Sequence, residues 1–125
     1  MELIEEKLSG IIIDCALKVH KALGPGLLEK CYEGCLEYEL KQRGLKVERQ
    51  KEMPVNYKGV EIKEGYTMDL LVEDKVVIEL KSVDQMHPIF TAQTLTYMKL
   101  GGYRKGLLIN FNEMKLKDGL HSLVN

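Results

Sequence analysis

The stretch Tyr66-Thr67-Met68-Asp69-Leu70-Leu71-Val72-Glu73-Asp74-Lys75-Val76-Val77-Ile78-Glu79-Leu80-Lys81 decides how this chain is read. Residues 66–72 and 76–81 are rich in β-branched and apolar side chains, the pattern of two strands. Glu73-Asp74-Lys75 between them is a polar turn. With the turn centred on Asp74, Leu71 opposes Val77 and Asp69 opposes Glu79. Directly opposed residues bring their Cβ atoms to about 4.5–5.5 Å. Lys81 lies two residues beyond Glu79 and points to the same face. The pairing is conditional on that register, because a displaced turn separates the two acids.

Two carboxylates forced together in a mostly apolar hairpin repel, unless a proton or a cation sits between them. Hard oxygen donors favour Mg²⁺ or Mn²⁺. Such an ion would serve phosphodiester chemistry, with Lys81 placed to assist at the water or the phosphate. The plainer alternative is a surface Asp69 and a solvated Glu79–Lys81 pair. Against it, charges seldom interrupt a run as apolar as residues 76–81 without cause.

Working outward, residues 2–22 read as an amphipathic helix, with Ile4, Leu8, Ile12, Ala16 and Val19 at helical spacing and Leu23 a turn further on. Gly24-Pro25-Gly26 stops it. A second helix is expected over 27–43, with Leu28, Tyr32, Leu36 and Leu40 as its stripe and Gly44 as its stop. Strands follow at 45–51, 53–57 and 60–63, with a turn at Lys58-Gly59, and then come the two strands already described. Pro88 opens a third helix to about residue 100, ended by Gly101-Gly102. Residues 103–111 form a further strand, and the tail is short strand or helix. The order predicts one α/β (α+β) domain over 1–125, with a mixed sheet flanked by helices.

The bulk numbers exclude several classes. The chain has 125 residues, a net charge of −1 and no strongly basic balance. It therefore does not coat nucleic acid by bulk charge. Lys46, Arg49 and Lys51 offer at most a local basic edge, and a solvated edge strand explains them as well. The acidic start lacks the pattern of a signal peptide, and no apolar run reaches membrane-spanning length, so the expected location is cytoplasmic. Cys15, Cys31 and Cys35 are an odd set on helices, read as mostly buried thiols rather than disulfides or a zinc site. His20, His87 and His121 are scattered and read as surface or helix-start residues.

Three further positions accompany the hairpin. Glu29 and Tyr32 share a face at the start of the second helix. Locally, Glu29 is equally an acid favoured there by the macrodipole. Gln93 and Tyr97 share a face of the third helix, beside the apolar stripe of Ala92, Leu95 and Met98.

Together these motifs resemble the GxxExxY family of the PD-(D/E)XK nuclease superfamily. Gly26-Leu27-Leu28-Glu29-Lys30-Cys31-Tyr32 resembles the naming motif. Asp69 with Glu79-Leu80-Lys81 resembles the superfamily signature. Gln93 to Tyr97 is similar to a Gln-x-x-x-Tyr helix, and Gly106-Leu107-Leu108-Ile109-Asn110-Phe111 to the closing strand. Thr67 and Phe90 depart from the Arg and His often found in the family. The resemblance implies a restriction-endonuclease-like core. It implies a metal site of Asp69, Glu79 and Glu29, with Lys81 as fourth catalytic residue, and substrate contacts at Gln93, Tyr97 and Tyr32. The function it implies is a Mg²⁺- or Mn²⁺-dependent nuclease, with DNA favoured. The alternative is an inactive nucleic-acid-binding or assembly module that kept the fold. A core this small also suggests a homodimer or a protein partner.

Overall fold

A computed structural model describes residues 5–125. Two helices come first, α1 (Glu6–Leu23) and α2 (Glu29–Gln42). A long hairpin follows, β1 (Val47–Tyr57) and β2 (Val60–Val72), and then β3 (Val76–Lys81). Helix α3 (Pro88–Gly101) leads to β4 (Lys105–Asn110), a 3₁₀ turn (Leu116–Gly119) and β5 (Leu120–Val124). The five strands form one sheet in the order β1-β2-β3-β4-β5. Only β3 and β4 run parallel, and α3 makes the crossover that a parallel pair needs. This is the helix-flanked mixed sheet that the resemblance implied.

The elements form where the side-chain periods put them. Ile12, Cys15, Ala16 and Val19 of α1 and Tyr32, Leu36 and Leu40 of α2 are buried against one face of the sheet, on Leu70, Val72, Ile78, Leu80, Leu107 and Ile109. The other face holds Met68, Leu71 and Val77 under Met98 of α3. The approach of α3 is close at Gly106, where a Cβ would stand 2.5 Å from the Met98 sulfur. Helix α3 starts with Pro88 in its first turn, and His87 Nδ1 accepts the Ile89 N–H at 3.1 Å.

Several expectations need correcting. Residues 45–51 and 53–57 do not form two strands. They are one strand with a bulge between Met53 and Val55, where Pro54 can donate no hydrogen bond. Its partner likewise runs unbroken through Gly65, where a Cβ would collide with the Met53 carbonyl. The Lys58-Gly59 turn is where the sequence places it, with both residues at positive φ. Helix α2 starts at Glu29, so Leu28 lies before it as the cap residue and is exposed. Ile4 lies outside the described residues. Cys15 is buried, Cys35 half-buried and Cys31 exposed. His20 is buried on α1, with Nε2 2.7 Å from the Glu113 carbonyl. The tail takes both of its expected forms, a 3₁₀ turn and then a strand.

Side-chain alternation on β2 reverses at Asp69. Tyr66 and Met68 pack toward α3, whereas Leu70 and Val72 pack toward α1 and α2. A regular strand keeps residues two apart on one face. The break coincides with Gln50 opposite, which holds φ 52° and takes no place in the β1–β2 register between Arg49↔Leu70 and Lys51↔Met68. Uniform alternation would have put Met68 with Leu70. The reversal moves Met68 to the other layer and leaves Asp69 at the crossover.

Candidate functional site

The β2–β3 register is the one centred on Asp74, with Leu70↔Ile78, Leu71↔Val77 and Val72↔Val76. Main-chain pairing stops there, one residue short of Asp69 and Glu79. Beyond it the two acids take over. The Asp69 N–H donates to Glu79 Oε2 at 2.7 Å, and the Leu80 N–H donates to Asp69 Oδ2 at 2.8 Å. Each carboxylate accepts a main-chain N–H of the other strand. The expected pair is therefore brought together, but as a reciprocal lock in the gap between strands rather than as two side chains abreast on one face.

Burial makes the pair electrostatically tense. Glu79 is 5% exposed. Its carboxyl is pushed up to about 8, first by burial and then by the charge of Asp69. Asp69 is also raised, by burial above all, with Glu33 and Glu29 adding repulsion and the Leu80 N–H opposing it. The tyrosine hydroxyl of Tyr97 is raised too, by burial and then by the same two acids. Tyr97 thus belongs to the field of the site, its ring stacked on Tyr66 at 4.5 Å between centroids.

Helix α2 supplies two acids one turn apart, with different fates. Glu33 is buried and both its oxygens are occupied, Oε2 by Arg49 Nε at 2.7 Å and Oε1 by Gln50 Nε2 at 2.6 Å. Glu29 is half-buried and makes no ion pair among the described residues. It lines a cleft with Leu28, Lys30, Glu33, Gln50 and Asp69. No group of three or more His, Cys, Asp and Glu stands in metal-holding geometry among the described residues, so Glu29 does not close a three-acid cluster with Asp69 and Glu79. The chemistry of the donors still fits a hard divalent cation. Asp69 Oδ1 receives only a 3.3 Å bond from Gln50, Glu79 Oε1 accepts none among the described residues, and a positive charge would relieve the repulsion.

Lys81 follows Glu79 on β3, but its ammonium lies over the Phe90 ring, 4.3 Å from the centroid. It makes no ion pair with either acid among the described residues. Gln93 is exposed on α3. Tyr32, expected at a substrate, is fully buried instead. Its hydroxyl donates to the Gly24 carbonyl at 2.6 Å and accepts the Leu27 N–H at 3.0 Å, and its ring stacks on Phe111. It pins the loop before α2, and Ser82 Oγ ties that loop to the end of β3 through the Leu27 carbonyl. In this way the loop that precedes Glu29 is fixed against the hairpin. The basic edge is neutralised in place, because Arg49 pairs with Glu33 and Glu37 while Lys46 and Lys51 pair with Glu48.

Sequence reasoning missed Glu33, Gln50 and Asn110. Glu33 sits four residues after Glu29, a spacing that shares a helix face. Asn110, fully buried within an apolar strand, exchanges two hydrogen bonds with the main chain of Val83 and so fixes the segment leaving β3. An Asn inside such a run is itself a signal. For Gln50 nothing in the sequence announces a positive φ.

A family model described as the PD-(D/E)XK nuclease superfamily matches residues 6–123. No curated protein and no solved structure matches the chain.

Proposed function

The chain belongs to the PD-(D/E)XK nuclease superfamily, and from that premise we propose that it is a Mg²⁺- or Mn²⁺-dependent nuclease of the GxxExxY family, one domain over 1–125, hydrolysing phosphodiester bonds of DNA. Members of this superfamily generally use divalent metals and act on nucleic acid. No described helix is long and apolar enough to cross a membrane. The observation that supports this reading is the reciprocal lock of a buried Glu79 and a half-buried Asp69, in which burial and the charge of Asp69 raise the affinity of Glu79 for positive charge.

In this reading Asp69 and Glu79 would hold the cation. Glu29, which lines the same cleft as Asp69, would have to turn toward the ion to complete the shell. A bound divalent ion supplies Lewis-acid polarisation and charge neutralisation at the phosphate. Lys81 swings off Phe90 to donate hydrogen bonds to the phosphoryl oxygens and to steady the developing charge. Tyr97 and Gln93 present the α3 side of the site to the nucleic acid. With a net charge of −1 the protein has little bulk attraction for a duplex, so a second copy or a protein partner supplies the remaining grip.

The test is metal-dependent cleavage of plasmid and oligonucleotide substrates. Cleavage should need Mg²⁺ or Mn²⁺ and vanish in Glu79→Ala and in Lys81→Ala while the circular dichroism spectrum persists. Activity that survives chelation or either substitution rejects the proposal. One observation favours a second reading, a nucleic-acid-binding or assembly module without catalysis: Lys81 rests on Phe90 rather than on the acids. Under that reading Asp69→Asn leaves nucleic-acid affinity unchanged, and binding needs no metal.

A further inference from the structure

Gln50 stands at the one rung that the base of the β1–β2 ladder skips, opposite Asp69. Its φ of 52° is a left-handed main chain in the middle of a strand, where no turn calls for it. For a residue other than glycine such a conformation costs about 1–3 kcal/mol, and it persists only where the surroundings enforce it.

The distorted main chain sets the side chain between two acids. Nε2 donates to Glu33 Oε1 at 2.6 Å and to Asp69 Oδ1 at 3.3 Å. An amide nitrogen has two N–H groups, one for each acceptor, so the orientation of the amide is determined. Glu33 is itself immobilised, being buried on α2 with its other oxygen held by Arg49. The linkage runs from Arg49 through Glu33 and Gln50 to Asp69. It fastens the carboxylate of a sheet residue to helix α2. Asp69 Oδ2 already takes the Leu80 N–H, so Gln50 supplies the donor at the other oxygen.

We propose that Gln50 is the positioning residue of Asp69, its left-handed main chain delivering the amide that, together with the Leu80 N–H, fixes both oxygens of that carboxylate. The consequence for metal binding rests on the function proposed above, whereas the positioning belongs to the fold alone. Supporting hydrogen bonds of this kind set the geometry of metal-holding carboxylates.

Amide hydrogen exchange in the full chain tests this without metal or substrate. In Gln50→Leu the amide donor is lost and Asp69 is free to rotate, so the Leu80 N–H loses its acceptor. Exchange at Leu80 should quicken by about tenfold or more, the equivalent of one hydrogen bond to a charged group, with Ile78 unchanged as the control for the fold. Gln50→Gly relieves the left-handed main chain but removes the amide, so it should lose the same protection at Leu80. A merely structural Gln50 would move the melting temperature and leave the Leu80-to-Ile78 ratio alone. Wild-type protection at Leu80 in both variants overturns the proposal. Calorimetric titration with Mn²⁺ should also weaken about tenfold in Gln50→Leu, in line with the loss of an outer hydrogen-bond partner. A wild-type chain that takes up no Mn²⁺ would refute the nuclease reading, and Leu80 exchange would still decide the role of Gln50.

Discussion

The two ends of the β2–β3 pair are built from the same strands by opposite means. At the turn end, Leu70 to Val72 and Val76 to Ile78 pair through the main chain, and their side chains divide between two dry layers. At the open end the strands part, and the carboxylates of a buried Glu79 and a half-buried Asp69 accept the main-chain N–H groups. Apolar burial there would have been cheaper, because a buried pair of like charges works against the fold. The contrast teaches that the turn end holds the molecule together and that the open end is held by it. A region that lowers stability persists when it does something else.

Adjacent substitutions on β3 break the comparison most sharply. Glu79→Gln keeps the size and the hydrogen-bonding oxygen but removes the charge. Metal-dependent cleavage should fall by about 10³-fold, roughly 4 kcal/mol in the transition state. Stability at pH 8 should hold or rise, because one of two repelling acids is neutralised. Ile78→Ala, one residue earlier, should behave oppositely. It removes a fully buried side chain from the α1–α2 layer. The expected cost is about 2–4 kcal/mol in chemical denaturation, with cleavage per folded molecule little changed. Equal losses of stability in both variants would erase the distinction between the ends.

The sequence made the turn end legible and the open end only half so. β-Branched runs and the polar residues Glu73-Asp74-Lys75 fix a hairpin register, and register alone brings Asp69 toward Glu79. The sequence could not disclose that pairing ends at Leu70, because the departure coincides with a main-chain distortion on a third strand. The alternation of β2 reverses at Asp69, opposite the left-handed Gln50, and a period-two reading assigns Met68 to the other layer. Tyr32 is buried rather than exposed for a different reason. Its spacing from Glu29 places it on the helix face of the acid, but a tyrosine satisfies both a core and a loop, and here its ring and hydroxyl do both. The sequence divides the distal hairpin between 51 and 53 and between 63 and 66, with Pro54 and Gly65 beside the breaks. Placed opposite one another, they form one bulge in a continuous arm.

The pH dependence of stability sharpens the comparison, since only the open end titrates in this way. Glu79 ionises near 8 in the fold and near 4.5 in the unfolded chain. Below 4.5 both states are protonated, and the contribution of Glu79 to stability is fully present. As the pH rises toward 8 the unfolded chain gives up its proton while the fold retains it, so that contribution is lost across this window. Wild type should lose on the order of 2–4 kcal/mol relative to Glu79→Gln between pH 4.5 and pH 8. Millimolar Mg²⁺ or Mn²⁺ should return much of the loss at pH 8, because a cation binds the ionised pair and not the protonated one. Parallel stability profiles for wild type and variant would show that Glu79 does not titrate in this range.

The smallest effect concerns where Lys81 waits. Its ammonium lies over Phe90 rather than on Glu79, two residues back along β3, or on Asp69 of β2, so part of the site's charge compensation is parked on the α3 side. A cation over a half-exposed ring contributes about 0.5–1 kcal/mol, an amount that a phosphate could readily outbid. Phe90→Leu should therefore cost less than about 1 kcal/mol of stability. In the NMR spectrum the Lys81 ε-methylene protons should lie upfield in the wild type and return to ordinary lysine positions in the variant. Freed from the ring, Lys81 can reach Glu79, whose carboxyl it already lowers, and the pH-dependent loss described above should shrink. An unshifted lysine signal in the wild type would mean that Phe90 does not hold the ammonium. The contrast between a rigid turn end and a compensated open end would then rest on Asp69 and Glu79 alone.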